Sequence, residues 1–146
     1  MTASSPTTVW MLDTNILSHA IRFPRSLLAL RIQQLSALAE ESLCTSLVVA
    51  CELSFGAEKA GSIALASKIE ILLHFVPPKA MDGKVVQHYA NIRAHLERLG
   101  TPIGPNDTLI AAHALALGCT LVTDNEAEFR SRVPGLRVKN WLPPIT

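Results

Sequence analysis

The chain has little charge of either sign and few aromatics: charged residues make up 17% and Phe, Trp and Tyr together 5%. Thirteen Lys and Arg stand against twelve Asp and Glu, a net charge of +1, which excludes a protein that grips long duplexes by charge neutralisation alone. No apolar run reaches the roughly 18 to 20 residues of a membrane span. The opening MTASSPTT lacks the basic start and apolar stretch of a signal peptide, so a cytoplasmic protein with no membrane partner is expected. Cys44, Cys51 and Cys119 show no C-x-x-C spacing and sit in apolar segments. They read as small buried residues of a reducing compartment, with no disulfide. His19, His74, His88, His95 and His113 form neither an H-E-x-x-H pattern nor a His/Cys cluster, which argues against zinc. His113, six residues after Asp107, is expected to have no catalytic role. Repeats, low-complexity tracts and linkers are absent as well.

What is present is a large apolar fraction, 49% of 146 residues, drawn mainly from Leu, Ala, Val and Ile. That suffices for one domain spanning 1–146 with a core at about 8–141 and no need of disulfides or structural metal. Periodicity predicts a strand at Thr8 to Leu12, a helix from about Asn15 to Ile21, and an amphipathic helix from Ser26 to Glu40. A short strand at Leu43 to Thr45 follows, then a helix capped by Ser46 and stopped at Gly61. The run SIALASKIEILLH is a further helix leading into a short strand, Phe75-Val76. Helices at Met81 to Leu99 and Asp107 to Leu117 end on Gly100 and Gly118, and strands at Cys119 to Thr123 and Leu136 to Val138 complete the chain. Strands alternating with helices imply an α/β fold, a three-layer sandwich with a central parallel β-sheet flanked by helices. Sites in such folds form beyond the carboxyl ends of the strands.

Two of these strands end on polar groups. The first runs into Asp13-Thr14-Asn15 and the fourth into Thr123-Asp124-Asn125, which brings acids to one edge if the strands are neighbours. Asp13 also suits the cap of the next helix, and the stretch by itself does not separate the two roles. Glu52 has Val48, Val49, Phe55 and Gly56 as its helical neighbours, an apolar setting that costs several kcal/mol unless the carboxylate is paired or metal-bound. Solvated exposure at a helix edge is the alternative. Asp107 follows Asn106, a candidate helix cap, and precedes the apolar TLIAAHALAL, where an acid is favoured by the helix dipole whatever its task.

Four acids at one rim with no Lys or Arg beside them in sequence repel: at an effective dielectric of about 20, two charges roughly 4 Å apart cost around 4 kcal/mol. A divalent cation resolves this. Oxygen ligands without His or thiolate suit Mg²⁺ or Mn²⁺ better than Zn²⁺. Such a cage serves phosphodiester hydrolysis by activated water, without a covalent protein intermediate.

The stretches MLDTNILS, SLVVACELSFGAEKAG, IGPNDTLIAAHALALGCTLVTDNEAEF and VPGLRVKNW together resemble the PIN-domain ribonucleases, most of all the VapC-type toxins of bacterial toxin-antitoxin pairs. The resemblance runs from about Val9 to Trp141 with the motifs in the family's order. It implies a PIN-like parallel-sheet fold, Mg²⁺-dependent cleavage of RNA, frequent homodimers, and a small VapB-like antitoxin whose tail occupies the active-site groove. Carried over by motif, Asp13, Glu52 and Asp107 are the first three acids, with Asp13 and Asp107 the main metal ligands. Glu52 completes the cage or positions water, and Thr14, Asn15 and Thr123 give polar support. For the fourth place the family's T-x-D or T-x-N pattern selects Asn125, whereas charge selects Asp124.

Scattered Arg22, Arg25, Arg31, Arg93 and Arg98 read as solvated faces or RNA-phosphate contacts. Two rival functions remain. An aspartyl-phosphate phosphotransferase of the haloacid dehalogenase kind wants a second Asp two residues after Asp13, where Asn15 stands. A catalytically silent PIN-like binding module can shed the acids that this chain keeps.

Overall fold

The computed structural model describes residues 8–38 and 41–143. Its first half runs β1 (Thr8–Leu12), α1 (Thr14–Arg22), α2 (Leu27–Ser36), β2 (Glu41–Ser46), α3 (Leu47–Ala60), α4 (Ile63–Phe75) and β3 (Pro78–Lys79). The second half runs α5 (Lys84–Leu99), α6 (Pro105–Leu117), β4 (Thr120–Val122), α7 (Glu126–Arg132) and β5 (Val138–Lys139). All strand pairs are parallel, in the order β3-β2-β1-β4-β5.

The chain therefore steps outward from β1 to β3, then returns to the other side of β1 for β4 and β5. Right-handed crossovers place helices of opposite stepping direction on opposite faces of a parallel sheet. Accordingly α1, α2, α3 and α4 pack among themselves, and α5 packs on α6. This is the expected three-layer α/β sandwich. The order reverses between β1 and β4, where such folds leave a crevice at the carboxyl ends.

The core holds Met11 and Leu12 of β1, Ile16 and Leu17 of α1, and Leu121 and Val122 of β4, all fully buried. Each buried Leu or Ile contributes about 1.5–3 kcal/mol. Helix α6 buries nearly all round, through Ile110, Ala111, Ala112 and Ala114, and its small residues let it lie close to α5 and the sheet. Gly118 then takes φ 67° to turn the chain into β4, a conformation that only glycine adopts freely.

Several expected boundaries shift. Helix α2 stops at Ser36, where Ala37 and Leu38 close it with tighter bonds to Gln34 and Leu35; positions 39 and 40 of the longer expectation lie outside the described residues. Phe75 is still helical and Val76 caps it, so the short strand falls on Pro78–Lys79 instead of Phe75-Val76. Proline is tolerated there because β3 is an edge strand. Helix α5 begins at Lys84, not Met81, and β5 is Val138–Lys139, not Leu136 to Val138. Helix α7 was not expected at all.

Cys44 and Cys119 are buried, but Cys51 is exposed. The buried face of α3 is Val49, Leu53 and Ala57, and Cys51 lies two residues round the helix from it. Among the described residues no helix is long and apolar enough to cross a membrane.

Candidate active site

The pairing of β1 with β4 runs Trp10 to Thr120, Met11 to Leu121 and Leu12 to Val122. One step further it sets Asp13 beside Thr123, and the Asp13 amide donates to the Val122 carbonyl at 2.9 Å. Asp13 is 6% exposed. Its Oδ1 accepts from the Thr14 amide at 2.7 Å, so it does cap α1, and its Oδ2 accepts from the Thr123 hydroxyl at 2.8 Å. Burial pushes the Asp13 carboxyl above its ordinary pKa; the Thr14 and Thr123 hydrogen bonds oppose this, and Glu52 and Asp124 add repulsion. The cap and the cluster are thus one arrangement.

Strand β2 delivers the next acid indirectly. Thr45 ties it to β1 by donating from Oγ1 to the Leu12 carbonyl at 2.6 Å, just before Asp13. Ser46 then caps α3, accepting from the Val48 amide at 3.2 Å, and Glu52 follows on that helix. Glu52 is half-buried beside the Val49–Leu53 face, with Phe55 turned to solvent, so it stands at the border of the apolar face and not within it. Its Oε1 accepts from the Thr14 hydroxyl at 2.8 Å. Thr14 therefore touches two acids, Asp13 through its amide and Glu52 through its side chain.

Asp107 comes from the first turn of α6. The N-cap there is Gly104 with Pro105 at the first helical position, so Asn106 lies inside the helix and caps nothing. The Asp107 carboxyl is half-buried and pushed up to about 6, by burial first and then by Asp13, Glu52, Glu128 and Asp124 in that order. These acids come from the carboxyl ends of β1 and β4 and from α3 and α7, so the first turn of α6 faces the same edge as they do.

Asp124 is exposed, and its Oδ1 accepts from Asn15 Nδ2 at 3.1 Å. The Asn125 amide donates to Thr123 Oγ1 at 3.1 Å, and its side-chain amide donates to Glu128 Oε2. Glu128, on the unexpected α7, acts on Asp107 more strongly than Asp124 does. It was missed because α7 is short and buries only Phe129. The spacing Asn125-x-x-Glu128 is a helix-start signal that could have found it. Arg132 pairs with Glu128 at 3.1 Å.

Of the other arginines, Arg31 lies 4.3 Å over the Trp141 ring and Arg22 5.4 Å over Phe23, while Arg93 is held by Glu97 and Tyr89. These contacts orient three of the five arginines singled out in the sequence, and Arg93 stays exposed.

All donors at this edge are carboxylate, amide or hydroxyl oxygens, the set that suits hard ions. Among the described residues no three of His, Cys, Asp or Glu stand close enough to hold an ion by themselves.

The PIN domain model matches residues 10–133. The chain is 38% identical over 136 residues to Ribonuclease VapC2 of Rickettsia felis, covering 91% of this chain and 98% of that protein. It is 35% identical over 135 residues to the tRNA(fMet)-specific endonuclease VapC of Salmonella typhimurium, covering 90% and 97%. In structure it is similar to VapBC2 from Rickettsia felis bound to a DNA fragment from their promoter, with a TM-score of 0.82 at 34% identity, covering 92% of this chain and 99% of that one. It is also similar to VapBC-1 from nontypeable Haemophilus influenzae, with a TM-score of 0.78 at 34% identity and coverages of 92% and 98%.

Proposed function

The chain belongs to the PIN-domain family as a VapC-type endoribonuclease, and from that premise we propose that Asp13 and Asp107 hold a hard divalent cation, Mg²⁺ or Mn²⁺. The observation that carries this is the buried Asp13 at the crevice between β1 and β4, tied through Thr123, Thr14 and Asn15 to the groups around it, with the Asp107 carboxyl pushed up to about 6 by burial and by the neighbouring acids. A bound cation lowers the pKa of an attacking water and offsets charge on the phosphate and leaving oxygen. The protein's own groups bind and orient. Thr123 fixes Asp13 Oδ2, Thr14 fixes Glu52, and Glu52 positions the water and takes its proton. Asp124, steadied by Asn15, supplies charge at the rim, while Asn125 steadies Glu128.

RNA is the substrate in this reading, and a VapB-like antitoxin and a second copy of the chain are partners. For the antitoxin, support comes from the VapBC complexes among the solved relatives. Its tail is expected in the active-site groove; a second groove of about 230 Å³ between α1, α2 and α4, lined by Ala20, Ile21, Ile32, Lys68, Leu72 and Phe75 and by none of the acids, offers apolar surface for the rest of it. Exposed Phe55 and Ile63 offer a face for self-association. One PIN domain acting in the cytoplasm completes the proposal. The phosphotransferase alternative is disfavoured because Asn15 stands where such an enzyme wants its second Asp, and its side-chain amide is bonded to Asp124 Oδ1.

The test is RNA cleavage by pure protein with and without Mg²⁺, beside Asp107→Asn at matched folding. Cleavage that requires both the ion and Asp107 supports the assignment, and equal cleavage by the two proteins overturns it.

A further inference from the structure

His113 has no place in the site as described, yet it is 1% exposed and in the middle of α6. Its Nδ1 lies 2.9 Å from Ser46 Oγ, across 67 residues of sequence. Among the described residues Nε2 is buried without a hydrogen-bond partner; the Ala80 carbonyl, just past β3, faces the ring without making a bond of ordinary geometry. Burial keeps the imidazole below its ordinary pKa, so the ring is neutral.

The proton positions follow from the partners. The Ala80 carbonyl can only accept, which favours a hydrogen on the ring nitrogen away from Ser46, so Nδ1 is the acceptor and the Ser46 hydroxyl, which itself accepts from the Val48 amide, donates to it. A neutral ring that accepts at Nδ1 carries its hydrogen on Nε2, the side that faces Ala80. Ser46 is thereby held from two directions, and with it the first turn of α3.

The two ends of this contact sit at matching distances from the acids. Glu52 is six residues beyond Ser46 on one helix, and Asp107 is six residues before His113 on the other. At 1.5 Å per residue each lever is about 9 Å long. A slide of α6 against α3 moves Asp107 against Glu52 by the same amount, and about 1 Å of misplacement is enough to cost a reaction on the order of 100-fold. We propose that His113 is a positioning residue for the acidic site: bonded to Ser46, it fixes α6 on α3 and so fixes Asp107 relative to Glu52.

This rests on the reading of those acids as a cation site, and the experiment separates the two. Mn²⁺ binding to the full-length protein, without RNA, is followed by electron paramagnetic resonance, together with thermal melts. His113→Leu keeps much of the volume and removes the bond; His113→Asn restores an acceptor near the Nδ1 position. A core substitution away from the site, Ile92→Ala on α5, serves as the stability control. Loss of about 10-fold in Mn²⁺ affinity is expected for H113L, the low end of the range for groups bonded directly to metal ligands, because His113 acts on the acids through Ser46 and two helices. H113N recovers most of it, and the control keeps wild-type affinity despite a lower melting temperature. Ser46→Ala, which removes the α3 cap together with the His113 contact, loses at least as much as H113L, and the double variant loses no more than S46A; wild-type affinity in S46A overturns the role even if H113L fails to fold. Wild-type affinity in H113L and S46A, or an equal loss in the Ile92→Ala control, overturns the positioning role alone. A wild-type protein that binds no Mn²⁺ overturns both this role and the cation site.

Discussion

The ends of β1 and β4 carry nearly the same letters, Asp13-Thr14-Asn15 and Thr123-Asp124-Asn125, and use them differently. In β1 the acid directly follows the strand, so it lies in register with its neighbour and is buried, with both oxygens bonded. In β4 a threonine takes that place and the acid comes one residue later. Side chains alternate along an extended chain, so one step moves the carboxylate from the crevice to the rim. Asp124 is accordingly exposed, while Thr123 is fully buried and donates to Asp13. One offset converts two acids into an acid and its orienting hydroxyl.

The largest expected effect comes from removing the buried acid. Asp13→Asn should lower RNA cleavage by on the order of 10²–10³-fold, the scale for losing a preorganised electrostatic group. The same change should raise the melting temperature of metal-free protein, because it deletes a charge that burial and Glu52 destabilise; each 1 kcal/mol relieved is worth about 2–4 °C at this size. Activity and stability moving in opposite directions would set this residue apart from an ordinary cap, whose loss lowers both.

Next in size is the threonine that replaces an acid in β4. Thr123→Val keeps the shape and removes the donor to Asp13, and cleavage should fall by about 10-fold or more with little change in the apparent affinity for RNA. Steady-state kinetics that show a change in KM alone would break the contrast between the two strand ends.

A third effect is one of pH. Asp107 binds its proton more tightly in the fold, at about 6, than in the unfolded chain, near 3.8. In EDTA its contribution to stability is therefore complete below pH 3.8 and is lost as pH rises to about 6, with no further change above. Melting curves of wild type minus Asp107→Asn should show that slope. Saturating Mg²⁺ should abolish it, since the ion favours the ionised ligand.

The smallest expected effect belongs to Asp124→Asn. The exposed acid is screened by solvent, so cleavage at saturating Mg²⁺ should stay close to wild type, with the deficit appearing only at low Mg²⁺ concentration. A loss equal to that of Asp13→Asn would erase the distinction between rim and crevice.

Much of this was legible in the residues. An apolar run that stops on Asp13, and a second that stops at Thr123, bring two strand ends to one edge if the strands are neighbours, and β1 and β4 are. The buried character of TLIAAHALAL likewise placed Asp107 on a core helix. What resisted was what depends on partners. Which of Thr123, Asp124 and Asn125 faces Asp13 is set by strand register, and register is a property of two strands. Glu128 was hidden because seven residues with one buried side chain carry no period. His113 looked inert since its partner, Ser46, is 67 residues away. Cys51 looked buried because apolar neighbours in sequence do not say which side of α3 meets the core.

The most direct test of the central claim is a Mn²⁺ titration of the wild-type protein against Asp13→Asn and Asp124→Asn, without RNA. The account predicts a bound ion in wild type, near-complete loss in Asp13→Asn, and retention in Asp124→Asn. Equal binding by wild type and Asp13→Asn would contradict it.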